Sequence, residues 1–172
     1  LPNNIHAPLN IGSVSEEYAD TSIIEATSLR QLSIRESTFK QIGGAGIRIN
    51  ADKVSQIRVV DNEFSRISGE GIGLRAPKLE GRTFVIQNRI FSNDDGLAVT
   101  VSERLYGLEI RENSIGGSRS GIAIRQSGGG ISASLKFSIA DNTIVGNNQH
   151  GMVVHAEGGR IGHSNLARNK FR

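Results

Sequence analysis

Cysteine is absent from this 172-residue chain, which excludes disulfides, thiolate metal sites and cysteine nucleophiles. Tryptophan is absent too, proline occurs 3 times and aromatic residues make up 5%, so any core must be built from aliphatic side chains. No apolar run approaches the roughly 18 residues that a membrane-crossing helix needs, and membrane insertion is not expected. Nor is there a basic block interleaved with stacking aromatics. The 20 Lys and Arg stand among 17 Asp and Glu, with the signs interspersed, so nucleic acid is not an expected partner. The Gly128–Gly130 run has neither the lysine nor the following helix of a phosphate loop and reads as flexible surface. A secretory leader pattern is missing, and Leu1 stands where Met would open a newly made chain; the expectation is a processed, trimmed or fragmentary chain.

What the chain does have is glycine, 21 residues of it, and a repeat. The stretch Gln56–Leu74 reads QIRVVDNEFSRISGEGIGL: alternating apolar residues, Asn, an apolar residue, a loop, then Gly-apolar-any-apolar. The same order returns at Gln31–Ile49, Gly107–Ile124 and Phe137–Val154. Residues Phe84–Val99 fit once Thr83 takes the first inward position and Phe84 turns outward, and a partial copy runs through Leu166, Asn169 and Phe171. The glycines that open the second strand, Gly46, Gly71, Gly96, Gly121 and Gly151, are spaced by 25, 25, 25 and 30 residues. The polar corner residues Ser37, Asn62, Asn88, Asn113, Asn142 and Asn169 keep nearly the same step.

Periods this short cannot bury a core alone, so successive repeats must stack. Strand on strand at about 4.8 Å per layer, the inward residues Ile47 and Ile49, Ile72 and Leu74, Leu97 and Val99, Ile122 and Ile124, and Met152 and Val154 form aliphatic columns. The asparagines form an amide ladder, and the glycines are expected at corners of positive φ. A leucine-rich solenoid is excluded by the missing Leu spacing and helical return. The fold class read from the residues is all-β: a right-handed parallel β-helix of about six coils with a ~25-residue repeat. Residues 1–28 are expected to form an irregular N-terminal coil or cap, in which Ser15–Asp20 reads as a turn or short helix. Residues 29–172 are the solenoid, which is expected to be truncated at its C-terminal end, or covered there by a further domain or partner chain that shields apolar core and open strand edges.

Stacking also brings outward residues about 25 apart in sequence into vertical columns. Just before the strand glycines stand Ala45, Glu70, Asp95, Ser120 and His150; Asp94 adjoins Asp95. Paired carboxylates are the chemistry of general acid–base work or of a Ca2+ site, so Glu70, Asp94 and Asp95 are the candidate catalytic residues. Across the strand stand Asn50, Arg75, Thr100, Arg125 and His155. Arg75 and Arg125, with Arg48, His150 and His155, are the candidates for holding an acidic sugar. Between the columns Arg48, Gly73, Ala98, Ala123 and Val153 should face outward although four of the five are small or apolar; such a strip suits a groove floor or an interface, including one between copies of this chain. His150 and His155, five residues apart on one strand, are expected on opposite faces. No metal site is assigned and no cofactor is expected, Ca2+ being the one ion the carboxylates could hold.

The repeat and its corner asparagines resemble the pectate-lyase-like superfamily of right-handed β-helices, whose members include polysaccharide lyases, hydrolases, epimerases and phage tailspikes. Asn93–Val99, reading NDDGLAV, is similar to the paired-aspartate strand of polygalacturonases. That resemblance implies an acid one coil earlier, where Glu70 stands. It also implies a His where Ser120 stands and a cation where Ala123 stands, so two of its residues are replaced. The function expected is binding or processing of an acidic polysaccharide across the acid- and Arg-flanked strand face, by an extracellular or periplasmic protein. The alternative is a non-catalytic structural, adhesive or tailspike-like β-helix, because the fold selects no chemistry.

Overall fold

A computed structural model describes residues 4–5, 13–19, 22–127 and 134–172. Gly128–Gly130, His6 and parts of the expected N-terminal coil lie outside the described residues. The described residues contain strands and no helix, wound into a solenoid of about six coils with every strand pairing parallel. The expected parallel β-helix is the observed fold.

Each coil has three strand faces. The first two belong to one 11-stranded sheet that bends at a corner, and the third is a 7-stranded sheet. In the middle coils a single long strand runs through the first two faces: Ile47–Val60, then Ile72–Ile86, then Asp95–Arg111. The third face stacks Thr38–Ile42, Glu63–Ile67, Arg89–Ser92, Ser114–Gly116 and Thr143–Val145. Ser13–Ala19 extends that sheet by pairing with Thr38–Ile42. Residues 15–19 are therefore strand, not the turn or short helix expected there. Val14 just before them and Tyr18 among them suit a strand, and pairing decides where local polarity suggested a turn. Ser22–Leu29 already pairs in register with the following coil.

Strand alternation places the aliphatic columns where the pattern puts them. Ile47, Ile72, Leu97 and Ile122 are in register and solvent-free, as are Ile49, Leu74, Val99 and Ile124. The second face adds Val59, Val85, Ile110 and Ile139, and the third adds Phe39, Phe64, Ile90, Ile115 and Ile144, all buried. Phe39 and Phe64 stack with ring centroids 4.7 Å apart. Thr83 points inward at 0% exposure, while Phe84 lies outside under Arg58. Met152 and Val154 are only partly buried, and Ile161, Leu166 and Phe171 are about half exposed; this is the surface that a partner covering the last coil would meet.

The corner between the second and third faces carries the polar ladder. Asn62 N–H and Nδ2 both donate to Asn88 Oδ1, at 3.1 and 2.9 Å. Asn88 does the same to Asn113, at 2.9 and 3.0 Å, and Asn113 to Asn142, at 3.0 and 2.9 Å. Asn142 donates to Asn169, while Ser37 closes the other end by donating its N–H to Asn62 Oδ1. Each Nδ2 also reaches the carbonyl two residues back, so the buried amides are satisfied. A second, shorter polar stack links Ser92 Oγ to Ser118 Oγ and Ser118 N–H to Asn147 Oδ1.

Positive φ falls on Gly81, Gly107, Gly117, Gly146 and Gly158, as expected of glycine, but not on the glycines that open the second strand. The residues with positive φ at the ladder corner are Glu36, Asp61, Gln87, Glu112, Asp141 and Arg168, one before each ladder position. The strand glycines are needed for close approach instead. A Cβ on Gly96 would sit 2.7 Å from Gly121 O and strike Ile115; one on Gly46 would lie 2.6 Å from Gly71 O and 2.7 Å from a Phe64 ring carbon. These glycines seat the inward side chains of the third face. Outside the ladder, Arg168 clasps Asp141 across one coil, Nε to Oδ1 at 2.6 Å and Nη2 to Oδ2 at 2.7 Å. That hydrogen bond holds the exposed Asp141 carboxyl below its ordinary range.

Replacing Asn113 with Ala removes a rung and leaves the buried N–H of Asn88 without its acceptor, while Asn88 Nδ2 keeps only its backbone carbonyls, at a cost of about 1–3 kcal/mol. Denaturant unfolding should show that loss, with Asn93→Ala, in an exposed loop, within about 0.5 kcal/mol of the parent.

Candidate functional site

The glycine-led face carries the acids and arginines as columns. Asp95, Ser120 and His150 are register partners, as are Asn50, Arg75, Thr100, Arg125 and His155. In an unbroken strand, residues five apart point to opposite faces. Here the chain bends at the glycine, and Glu70 Oε1 accepts a hydrogen bond from Arg75 Nη2 at 2.7 Å. The acids and arginines, expected on opposite edges of one strand face, meet directly across it in the Glu70–Arg75 pair. His150 and His155, at the equivalent positions of the last coil, are both exposed.

Each acid is held by arginine. Glu70 is 7% exposed; besides Arg75 it has Arg48 Nε 3.8 Å from Oε2, too far for a hydrogen bond. Glu70 Oε2 and Arg48 Nε are both buried without a hydrogen-bond partner. Asp95 is 1% exposed, with Oδ2 accepting from Arg125 Nη1 at 2.6 Å and Arg119 Nη2 at 3.4 Å from both oxygens. Arg119 also lies 2.9 Å from Asp94, whose side chain is more open. Glu70 and Asp95 thus come from adjacent coils but grip different arginines. Among the described residues, no group of three or more His, Asp and Glu converges on one point.

The small-residue strip is the reason these pairs fit. Ala98 and Ala123, on the outward side of the strand, are buried at 2% and 0% exposure. Over Gly73 lies the Glu70 carboxylate itself: a Cβ there would meet its Oε2. The strip is therefore roofed in part by the protein's own side chain rather than left as a bare apolar floor.

Open space begins beyond Arg75, where the first face bends into the second. A groove of about 590 Å3 runs there. Glu25, Asn50, Arg75 and Thr100 form one wall and Thr27, Asp52, Pro77 and Ser102 the other, with Ala26, Ala51, Ala76 and Val101 between them. The first wall takes one residue from each of four coils in register, so the groove follows the solenoid axis. Asn50 Nδ2 donates to Glu25 Oε1 at 3.3 Å. Arg75 is the one candidate residue that reaches both a candidate acid, Glu70, and this groove. The second wall escapes a sequence reading because alternation breaks at the bend: Asp52 and Lys53 are consecutive and both exposed. The recurrence of Asp52, Pro77 and Ser102 at one repeat position was the available signal.

A family model described as right handed beta helix region matches residues 22–171. The chain belongs to this right-handed β-helix family. The match covers all six coils and agrees with the parallel register seen strand by strand. No curated protein and no solved structure gives a match. Members of a β-helix family share stacking geometry, so the outward side chains of this β-helix must supply its function.

Arg125→Ala should destabilise the β-helix by about 2 kcal/mol, because it leaves the buried Asp95 carboxylate with only a long contact to Arg119. Thermal and denaturant melts should set it apart from Lys40→Ala, an exposed cation without an ion pair among the described residues, which should shift stability by less than about 0.5 kcal/mol.

Proposed function

We propose that this β-helix binds an acidic polysaccharide along the groove beside Arg75, as a binding rather than a cleaving protein. The observation that carries this reading is the pairing of the acids. A general acid and base must be free to exchange protons with a substrate. Glu70 and Asp95 are instead buried and hydrogen-bonded to Arg75 and Arg125. Their role in this reading is to fix the two guanidinium groups, whose planar forks suit carboxylates and other oxyanions. Arg75 keeps about half its side chain open to solvent, so it can hold Glu70 with one edge and a ligand with another.

The groove supports an extended ligand rather than a compact one. Its wall repeats with the coil, at about 4.8 Å per step, and its lining mixes hydroxyl, amide and charged groups over small apolar residues, a composition suited to sugar rings with hydroxyl edges. An extracellular or periplasmic setting, where such polymers are met, belongs to the same proposal. The processing alternative remains distinguishable, because a lyase would release unsaturated products that absorb in the ultraviolet.

Filling the groove tests the reading. Thr100 is a half-buried wall residue, and Thr100→Trp should obstruct the groove while leaving the inward columns intact. Calorimetric titration with polygalacturonate should show binding to the parent, at least tenfold weaker binding to the variant, and no ultraviolet-absorbing product from either. A parent that binds nothing would overturn the proposal, and product formation abolished by Asp95→Asn would replace it with the enzymatic reading.

A further inference from the structure

A column of cations stands next to the groove. Lys53, Lys78 and Arg104 occupy one position on three successive coils, paired in register. Like charges directly opposite one another destabilise a strand pair, and here three follow in a row. Carboxylates offset part of the column: Glu103 lies 3.0 Å from Lys78 Nζ, and Glu80 lies 3.9 Å from Arg104 Nη1. Lys53 and the nearby Arg30 have no ion-pair partner among the described residues. A cavity of about 430 Å3 opens where they meet, lined by Ser28, Arg30, Lys53, Ser55, Lys78 and Glu80. Ser55 Oγ donates to Arg30 O at 2.8 Å, tying the two coils together beneath it. Three cations and one carboxylate therefore line the cavity.

The cavity adjoins the groove. Asp52 and Pro77 line the groove while the next residues, Lys53 and Lys78, line the cavity. A polymer lying along the solenoid axis in the groove would present its pendant groups to this column, one cation per coil. We propose that Arg30, Lys53 and Lys78 form a subsite for the acidic groups of such a polysaccharide, an inference that rests on the binding reading above. The shared chemistry is an oxyanion, supplied by either a carboxylate or a sulfate ester. An incoming oxyanion relieves the repulsion between Lys53 and Lys78 and gives Arg30 a partner for its fork. Glu80 in the cavity and Asp52 on the groove side oppose it, and disfavour a polymer without dense charge.

Titration of the full chain with polygalacturonate, dextran sulfate and uncharged dextran tests the subsite. The parent should bind an acidic polymer and not dextran. Joint replacement Arg30→Gln and Lys53→Gln should weaken that binding about tenfold or more, whereas Lys40→Gln, on the 7-stranded sheet, should leave it within about twofold. Both double-variant positions are exposed, and circular dichroism should confirm an unchanged fold. Whichever acidic polymer shows the loss identifies the anionic group. Equal affinity of parent and double variant, or an equal loss in Lys40→Gln, would overturn the subsite while leaving groove binding standing. A parent that binds no polymer would overturn the subsite together with the binding reading.

Discussion

Everything in this β-helix depends on coils stacking in one register, and the asparagine ladder is the interaction that enforces it. A strand slipped by one residue would turn every inward Ile, Leu and Val to solvent. Aliphatic contacts alone are non-directional and tolerate small shifts. The amides do not. From Asn88 onward, each ladder Oδ1 accepts two hydrogen bonds from the coil before it, one from backbone and one from side chain. Each ladder residue follows a residue with φ between 49° and 58°, a conformation that costs about 1–2 kcal/mol for a side chain that is not Gly. The ladder makes that strain affordable, and it does so at a corner where glycine would give a looser turn.

The same register builds the outward face. Because Gly73, Ala98 and Ala123 stack between the acid column and the arginine column, the surface is thin enough for Glu70 to lean across and meet Arg75. Larger residues there would hold the columns apart. The buried carboxylates then fix the Arg75 and Arg125 guanidinium groups two coils apart, and the bend beyond them leaves a groove that follows the coil repeat. Electrostatics on this face are set by coil geometry first and by residue identity second.

Much of this was legible in the sequence. The repeat gave the coil number, the inward columns and the ladder positions, since each depends only on period and alternation. The strand at Ser13–Ala19 was not legible, because Glu16 and Glu17 mask a short strand whose pairing partner is distant. The role of the strand-opening glycines was misjudged, because close approach to Phe64 or Ile115 is a property of packing across faces and leaves no local mark. At the site, the columns were placed correctly, but alternation alone could not foresee that the bend at Gly71 lets Glu70 reach Arg75. Past Arg75 alternation breaks, and with it went the groove's second wall and the Lys53–Lys78–Arg104 column.

The family match spans residues 22–171, the strands stack in one parallel register, and the binding proposals rest on that frame being rigid. Rigidity is what keeps cations on neighbouring coils at a fixed spacing for a repeating ligand. The most direct test is residue-resolved amide hydrogen exchange. The backbone N–H groups of Asn62, Asn88 and Asn113 should exchange among the slowest in the molecule, opening only with global unfolding. If they exchange as fast as the exposed loop amide of Gly158 while the aliphatic columns stay protected, the stack is held by apolar packing and the ladder does not govern its register.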